Sequence, residues 1–124
     1  MKKILLVDDS EADHFLSESL IEVFDPSVTI FKTYHGKEAL EFLKTNFKPD
    51  LILLDLNMPL MNGLQFLENY SYTRQRNAPV VILTSSELNT DKADALKFEA
   101  VKLFITKPLS LDKLRQINGV INAD

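Results

Sequence analysis

Polar side chains stand at the ends of four of the five short apolar runs in this sequence. They are, in chain order, Asp8 and Asp9 after the first run, Asp55 after the third, Thr84 at the end of the fourth, and Lys107, followed by Pro108, after the fifth. In an open α/β sheet, ligands bind in the crevice beyond the carboxyl ends of parallel strands. If these runs are strands of such a sheet, carboxylates, a hydroxyl and an ammonium meet at one place.

Three carboxylates in one place require a cation to offset their charge. Oxygen ligands suit Mg²⁺, and the ammonium of Lys107 offsets part of the same charge. Positive charge around a carboxylate stabilises a transferring phosphoryl group, and a carboxylate can itself be the nucleophile that forms an acyl phosphate. Asp55 is the best candidate for this nucleophile, because it is single and central and leaves Asp8 and Asp9 for the metal.

The hydrophobic pattern predicts the elements that position these residues. The five apolar runs suit strands covered on both faces, as in parallel sheets. They are Ile4–Val7, Val28–Phe31, Leu51–Leu54, Val80–Leu83 and Leu103–Ile105. Segments of helical period lie between and after them. Five strands alternating with five helices predict an α/β fold of βαβ units with right-handed crossovers.

Each predicted helix has one apolar stripe that should face the sheet. In the first helix Ser10 is the expected N-cap, and the stripe consists of Ala12, Phe15, Leu16, Leu20, Val23 and Phe24. The next two stripes are Ala39, Leu40 and Leu43, then Leu64, Leu67 and Tyr70. The fourth is Ala93 and Leu96 with the stem of Lys97, and the fifth is Leu111, Leu114, Ile117 and Ile121.

Composition excludes several classes of function. A chain of 124 residues with 45% apolar residues fits one domain with its own core. A net charge of -4 argues against a nucleic-acid partner, which requires clustered Lys and Arg. The absence of cysteine excludes disulfides and thiolate sites. The apolar runs are too short to span a membrane, and we expect a cytoplasmic protein.

Five segments together resemble a known family. They are Ile4–Asp9, Gly36–Leu40, Pro49–Pro59 with Gly63, Val80–Thr84 and Phe104–Pro108. In this order and spacing, the chain resembles a receiver domain of the two-component response regulators, in the CheY-like superfamily, over essentially all of residues 1–124. The resemblance implies a flavodoxin-like, doubly wound (βα)5 fold with a five-stranded parallel sheet in the order 2-1-3-4-5. Because the sequence ends after the fifth helix, we expect a stand-alone receiver without an output domain.

The resemblance also implies a phosphorylation site and a metal site. Asp55 matches the aspartate that is phosphorylated. Asp8 and Asp9 match the acidic pair that holds Mg²⁺, for which Mn²⁺ can substitute, and Asp9 is the expected direct ligand. Asn57 matches the residue whose backbone carbonyl completes the metal site.

Three further residues match positions that respond to the phosphoryl group. Lys107 matches the lysine that pairs with the phosphoryl oxygens, and its bond to Pro108 is expected to be cis. Thr84 matches the hydroxyl residue that turns toward the phosphoryl group. Phe104 matches the aromatic residue that moves between outward and inward positions on activation.

The expected function is that of a phosphoacceptor rather than a conventional enzyme. The chain would take a phosphoryl group from the phosphohistidine of a sensor histidine kinase or histidine phosphotransfer protein and dephosphorylate itself slowly. As output it would bind an unknown protein target or pass the phosphoryl group along a relay. We expect it to be a monomer or a weak dimer.

Two other functions are disfavoured. A binding module with a vestigial site is disfavoured, because the set Asp8, Asp9, Asp55, Thr84 and Lys107 is intact. A Mg²⁺-dependent phosphatase is disfavoured, because Asn57 stands where such enzymes carry a second carboxylate.

Overall fold

Parallel strands and helices alternate along the part of the chain that the structure describes. The computed structural model describes residues 2–45, 47–56, 58, 62–71, 78–85 and 89–122, with the backbone alone for 89–91. The strands are β1 (Lys3–Val7), β2 (Thr29–Thr33), β3 (Leu51–Leu54), β4 (Val80–Thr84) and β5 (Val101–Thr106). The helices are α1 (Glu11–Phe24), α2 (Gly36–Leu43), α3 (Gly63–Ser71), α4 (Asn89–Leu96) and α5 (Leu111–Ile121).

The strands form one parallel sheet in the order β2-β1-β3-β4-β5, which confirms the flavodoxin-like topology. The two edge strands differ from the predicted segments. β2 ends at Thr33 instead of Phe31, and β5 extends beyond Leu103–Ile105 at both ends. Both contain exposed and half-buried residues, so hydrogen bonding continues where the apolar pattern stops.

The two faces of the sheet carry separate apolar cores, as a doubly wound fold requires. Along β1, Leu5 and Val7 belong to the core covered by α2, α3 and α4. Ile4 and Leu6 belong to the core covered by α1 and α5. Because side chains alternate between the faces of a strand, an uninterrupted aliphatic run serves both cores at once. The central strands β1, β3 and β4 are therefore the ones that the sequence predicts best.

The predicted buried stripe of α1 is partly wrong. Phe15 and Val23 are each 71% exposed, and Ala12 and Leu16 are exposed as well. From the predicted set, Leu20 and Phe24 are partly buried against the core. The residues that α1 buries are His14, Ser17 and Ile21.

Hydrogen bonds explain why α1 turns a histidine inward. The side-chain Nε2 of His14 donates to the backbone carbonyl of Thr33 at 2.9 Å, which satisfies this buried nitrogen. The other ring nitrogen, Nδ1, is buried without a hydrogen-bond partner among the described residues. At the start of the helix, Ser10 is the N-cap as predicted, with its Oγ accepting from the backbone N–H of Asp13 at 3.2 Å. In this orientation of α1, Ile21 packs into the core and Phe15 faces outward.

The predicted stripe of α4 is also wrong. Ala95 is fully buried, whereas Ala93 and Leu96 are exposed and Lys97 lies beyond the helix in solvent. Phe98 and Ala100, which follow α4, supply apolar cover beside Ala95.

The stripes of α2, α3 and α5 are confirmed, and their innermost residues are Ala39, Leu43, Leu67, Tyr70, Leu114 and Ile117. Within the described ranges, no helix combines the length and apolar character needed to cross a bilayer.

Candidate functional site

The polar residues predicted from the strand ends meet at the carboxyl edge of the sheet. Sheet hydrogen bonding continues one residue past three strands, which fixes the backbone of the site. The backbone N–H groups of Asp8, Asp55 and Lys107 donate to the carbonyls of Thr33, Val7 and Thr84 at 3.1, 2.9 and 2.8 Å. The direction of these three side chains is therefore determined by strand pairing.

Asp8, Asp9 and Asp55 form an acidic cluster. Each offers a carboxylate oxygen, and these oxygens all lie within 4.8 Å of one another. Asp8 and Asp55 are 9% and 7% exposed, and Asp9 is exposed. Mg²⁺ prefers oxygen ligands at about 2.0–2.1 Å and retains several waters. Three converging carboxylates with one side open to solvent fit that ion.

The hydrogen bonds of Asp8 distinguish its two carboxylate oxygens. Oδ1 accepts from the backbone N–H of Ser10 at 2.9 Å, and Oδ2 accepts from the ammonium of Lys107 at 2.7 Å. Both oxygens of Asp8 therefore already have a protein donor. This arrangement is compatible with the expectation that Asp9, rather than Asp8, is the closer metal ligand.

Lys107 connects the acidic cluster to the rest of the site. Its Nζ lies 2.7 Å from Asp8 Oδ2, 2.7 Å from Asp13 Oδ2 and 3.3 Å from Asp55 Oδ2. Burial alone would lower the pKa of Lys107, but the hydrogen bonds that its ammonium donates to Asp13 and Asp8, together with the charge of Asp55, outweigh burial and raise the pKa. Lys107 is therefore a permanent cation at neutral pH, in contact with Asp55.

Asp13 is a site residue that the sequence argument missed. It lies in the first turn of α1, where acidic residues are common because they favour the helix dipole. An acidic residue at such a position does not by itself suggest a contact with Lys107. Its position in the sequence could have suggested one, because α1 begins three residues after Asp8 and so starts close to the end of β1.

Thr84 and Phe104 lie on neighbouring strands beside the cluster. Thr84 is fully buried at the end of β4, where its carbonyl accepts from Lys107. Phe104 is half-buried on β5 and packs against the core on the side of α2, α3 and α4. In the register of the two strands, Phe104 pairs with Ile82, two residues before the pair Thr84 and Thr106. The two candidate switch residues are therefore close in the sheet and on different strands.

Two further predicted positions complete the account of the site. The peptide bond between Lys107 and Pro108 is cis. Asn57, whose backbone carbonyl was expected to bind the metal, lies outside the described residues.

Comparison with known proteins identifies the family. A family model described as the response regulator receiver domain matches residues 4–118. The chain is 30% identical over 123 residues to the protein PilH of Pseudomonas aeruginosa, and the match covers 98% of each chain. It is 32% identical over 116 residues to the sensor histidine kinase CheAY of Helicobacter pylori, covering 92% of this chain and 14% of that kinase.

Solved structures agree with this family. The phosphorylated cyanobacterial phytochrome response regulator RcpA is similar, with a TM-score of 0.83 and 29% identity. The match covers 99% of this chain and 96% of RcpA. Sequence, topology and the placement of the strand-end residues therefore point to the same family.

Proposed function

The chain belongs to the response regulator receiver family, and from this premise we propose that Asp55 accepts a phosphoryl group from a phosphohistidine. The donor would be a sensor histidine kinase or a histidine phosphotransfer protein. The observation that supports Asp55 is its position, since its carboxylate lies 3.3 Å from the ammonium of Lys107 and converges with Asp8 and Asp9. The similarity to a phosphorylated response regulator also supports it.

The proposed reaction is an in-line displacement at phosphorus. A carboxylate oxygen of Asp55 forms the new P–O bond while the P–N bond to the donor histidine breaks, and the imidazole leaves with the electron pair and takes up a proton. Lys107 and the hydroxyl of Thr84 stabilise the charge on the transferred oxygens. Mg²⁺ held by Asp8, Asp9 and Asp55, or Mn²⁺ in its place, would supply further positive charge to these oxygens.

The product is an acyl phosphate on the protein itself, so the chain is a phosphoacceptor that acts on itself. Water attacks this bond slowly and returns Asp55 to its free form. The charge added at Asp55 would bias a two-state element, and we propose that Thr84 and Phe104 connect the site to the surface formed by α4, β5 and α5. That surface would then bind a downstream protein or pass the phosphoryl group along a relay. We also propose a cytoplasmic location.

Intact-mass analysis tests this function directly. The protein is incubated with acetyl phosphate, with and without Mg²⁺, beside the variant Asp55→Asn. We expect one phosphoryl adduct on the wild-type protein, dependent on Mg²⁺ and labile in alkali, and none on the variant. An equal adduct on Asp55→Asn would refute the assignment of Asp55. No adduct on either protein would favour a binding module whose site no longer reacts.

A further inference from the structure

Lys107 uses its three N–H donors on three different carboxylates. The two shorter contacts, 2.7 Å each, go to Asp8 and Asp13, and the longer contact, 3.3 Å, goes to Asp55. An ammonium has three donors, so these contacts occupy all of them. A phosphoryl group on Asp55 adds acceptor oxygens that need the same donors. The donor that faces Asp55 can serve one of these oxygens, and a second can be served only if the contact to Asp8 or Asp13 is given up.

Exposure indicates which contact is the easiest to lose. The side chain of Asp13 is 39% exposed, whereas those of Asp8 and Asp55 are 12% and 8% exposed. A carboxylate that returns to water recovers its hydration, whereas one that stays buried without its partner does not. The backbone of Asp13 is held by the N-cap bond to Ser10, so its release requires rotation of the side chain alone.

We propose that Asp13 is a positioning residue that holds Lys107 in the unphosphorylated protein and competes with the phosphoryl group for it. The inference rests on the proposed function, because it assumes that Asp55 receives the phosphoryl group. On phosphorylation Lys107 exchanges Asp13 for a phosphoryl oxygen, and the carboxylate of Asp13 turns into solvent. Asp13 thereby lowers the affinity of the unphosphorylated site for a phosphoryl group.

The test measures binding of beryllofluoride, a mimic of the phosphoryl group, at saturating Mg²⁺. In Asp13→Asn the competing charge is gone, and we expect roughly two- to fivefold tighter binding, the range typical of a partly exposed ion pair. Glu11→Gln is the matched control, because it removes one charge from the same turn of α1, where Glu11 accepts from the hydroxyl of Tyr34. Asp13→Glu should return the affinity toward that of the wild-type protein.

A second measurement uses the wild-type protein alone. With ¹³C-labelled aspartate, saturation with beryllofluoride should shift the carboxyl resonance of Asp13 and leave unchanged that of Asp25, whose carboxylate accepts from Ser27. Equal affinities in Asp13→Asn and Glu11→Gln, or an unmoved Asp13 resonance at saturation, would overturn the role of Asp13 while the proposed function stands. If beryllofluoride does not bind the wild-type protein at all, the proposed function itself is wrong.

Discussion

At the residue scale, Lys107 is the cation of a site that otherwise contains carboxylates. Asp8 and Asp55 lie almost entirely out of solvent, and both contact its ammonium. Removing one partner of a buried charge pair leaves the other without compensation, which costs more than the pair itself contributes. Lys107 should therefore matter for folding in the absence of metal as well as for the chemistry of Asp55.

We predict that Lys107→Met lowers the free energy of unfolding by about 2 kcal/mol at neutral pH without metal, because charged hydrogen bonds are lost. Urea denaturation in EDTA measures this. Lys97→Met is the control, since Lys97 makes an exposed contact with Asp94 that should contribute less than about 1 kcal/mol. Equal losses in the two variants would show that the contacts of Lys107 do not stabilise the fold.

The difference in stability between wild type and Lys107→Met also depends on pH, and the sign of this dependence can be predicted. The pKa of Lys107 is raised above its usual 10.5, because the carboxylates outweigh the effect of burial. Its contribution is therefore complete at any pH below 10.5 and is lost only as the pH rises through the folded value. The difference between wild type and Lys107→Met should therefore be constant at neutral and mildly alkaline pH and should narrow only as the pH rises above 10.5.

At the element scale, the segment after β3 depends on the first residue of α3. A β-carbon added to Gly63 would lie 2.6 Å from Leu56 Cα and 2.7 Å from the carbonyl oxygen of Asp55. The backbone N–H of Gly63 also donates to the Leu56 carbonyl at 2.9 Å. Glycine therefore allows α3 to start directly against the backbone of Asp55 and Leu56.

We predict that Gly63→Ala destabilises the fold by about 1–3 kcal/mol, as overpacking against backbone does, and slows phosphorylation by displacing Asp55. Gly119→Ala is the matched control. It lies in α5 with nothing within 4 Å of the added carbon, and alanine in a helix should gain about 0.5–1 kcal/mol. Urea denaturation and the rate of adduct formation with acetyl phosphate measure both effects. A neutral Gly63→Ala would contradict the close approach.

The helices show where sequence reasoning stops. The central strands β1 and β3 were predictable because a doubly covered strand must be apolar throughout, and their ends identify Asp8 and Asp55. Lys107 follows the edge strand β5, whose bounds the apolar pattern predicted less well. The buried face of α1 could not be predicted, because it includes His14, whose side chain donates to the carbonyl of Thr33, a residue distant in sequence. Asp13 was missed for the same reason, since its partner lies 94 residues away.

At the scale of the whole molecule, sheet topology determines which charges meet. β5 lies two strands from β3 in the sheet order, a spacing of about 10 Å, yet the long side chain of Lys107 reaches Asp55 and Asp8. The carboxylates of Asp8, Asp13 and Asp55 contact this one ammonium, and that of Asp9 lies beside them in the acidic cluster. Among these described side chains the carboxylates outnumber the ammonium, and this local excess of like charge opposes the folded state until a cation binds.

We therefore predict that Mg²⁺ stabilises the folded protein by mass action, by about 2.7 kcal/mol at one hundred times its dissociation constant. Thermal unfolding in a series of MgCl₂ concentrations, with NaCl at matched ionic strength as the salt control, measures this. Asp9→Asn removes an exposed carboxylate of the acidic cluster, so the metal-free variant should be more stable than the wild type and respond less to Mg²⁺. Asp94→Asn removes an equal charge on α4 and should respond as the wild type does. A response to Mg²⁺ that is the same in Asp9→Asn and Asp94→Asn would mean that the ion acts by general screening, and the acidic cluster would then not be a metal site.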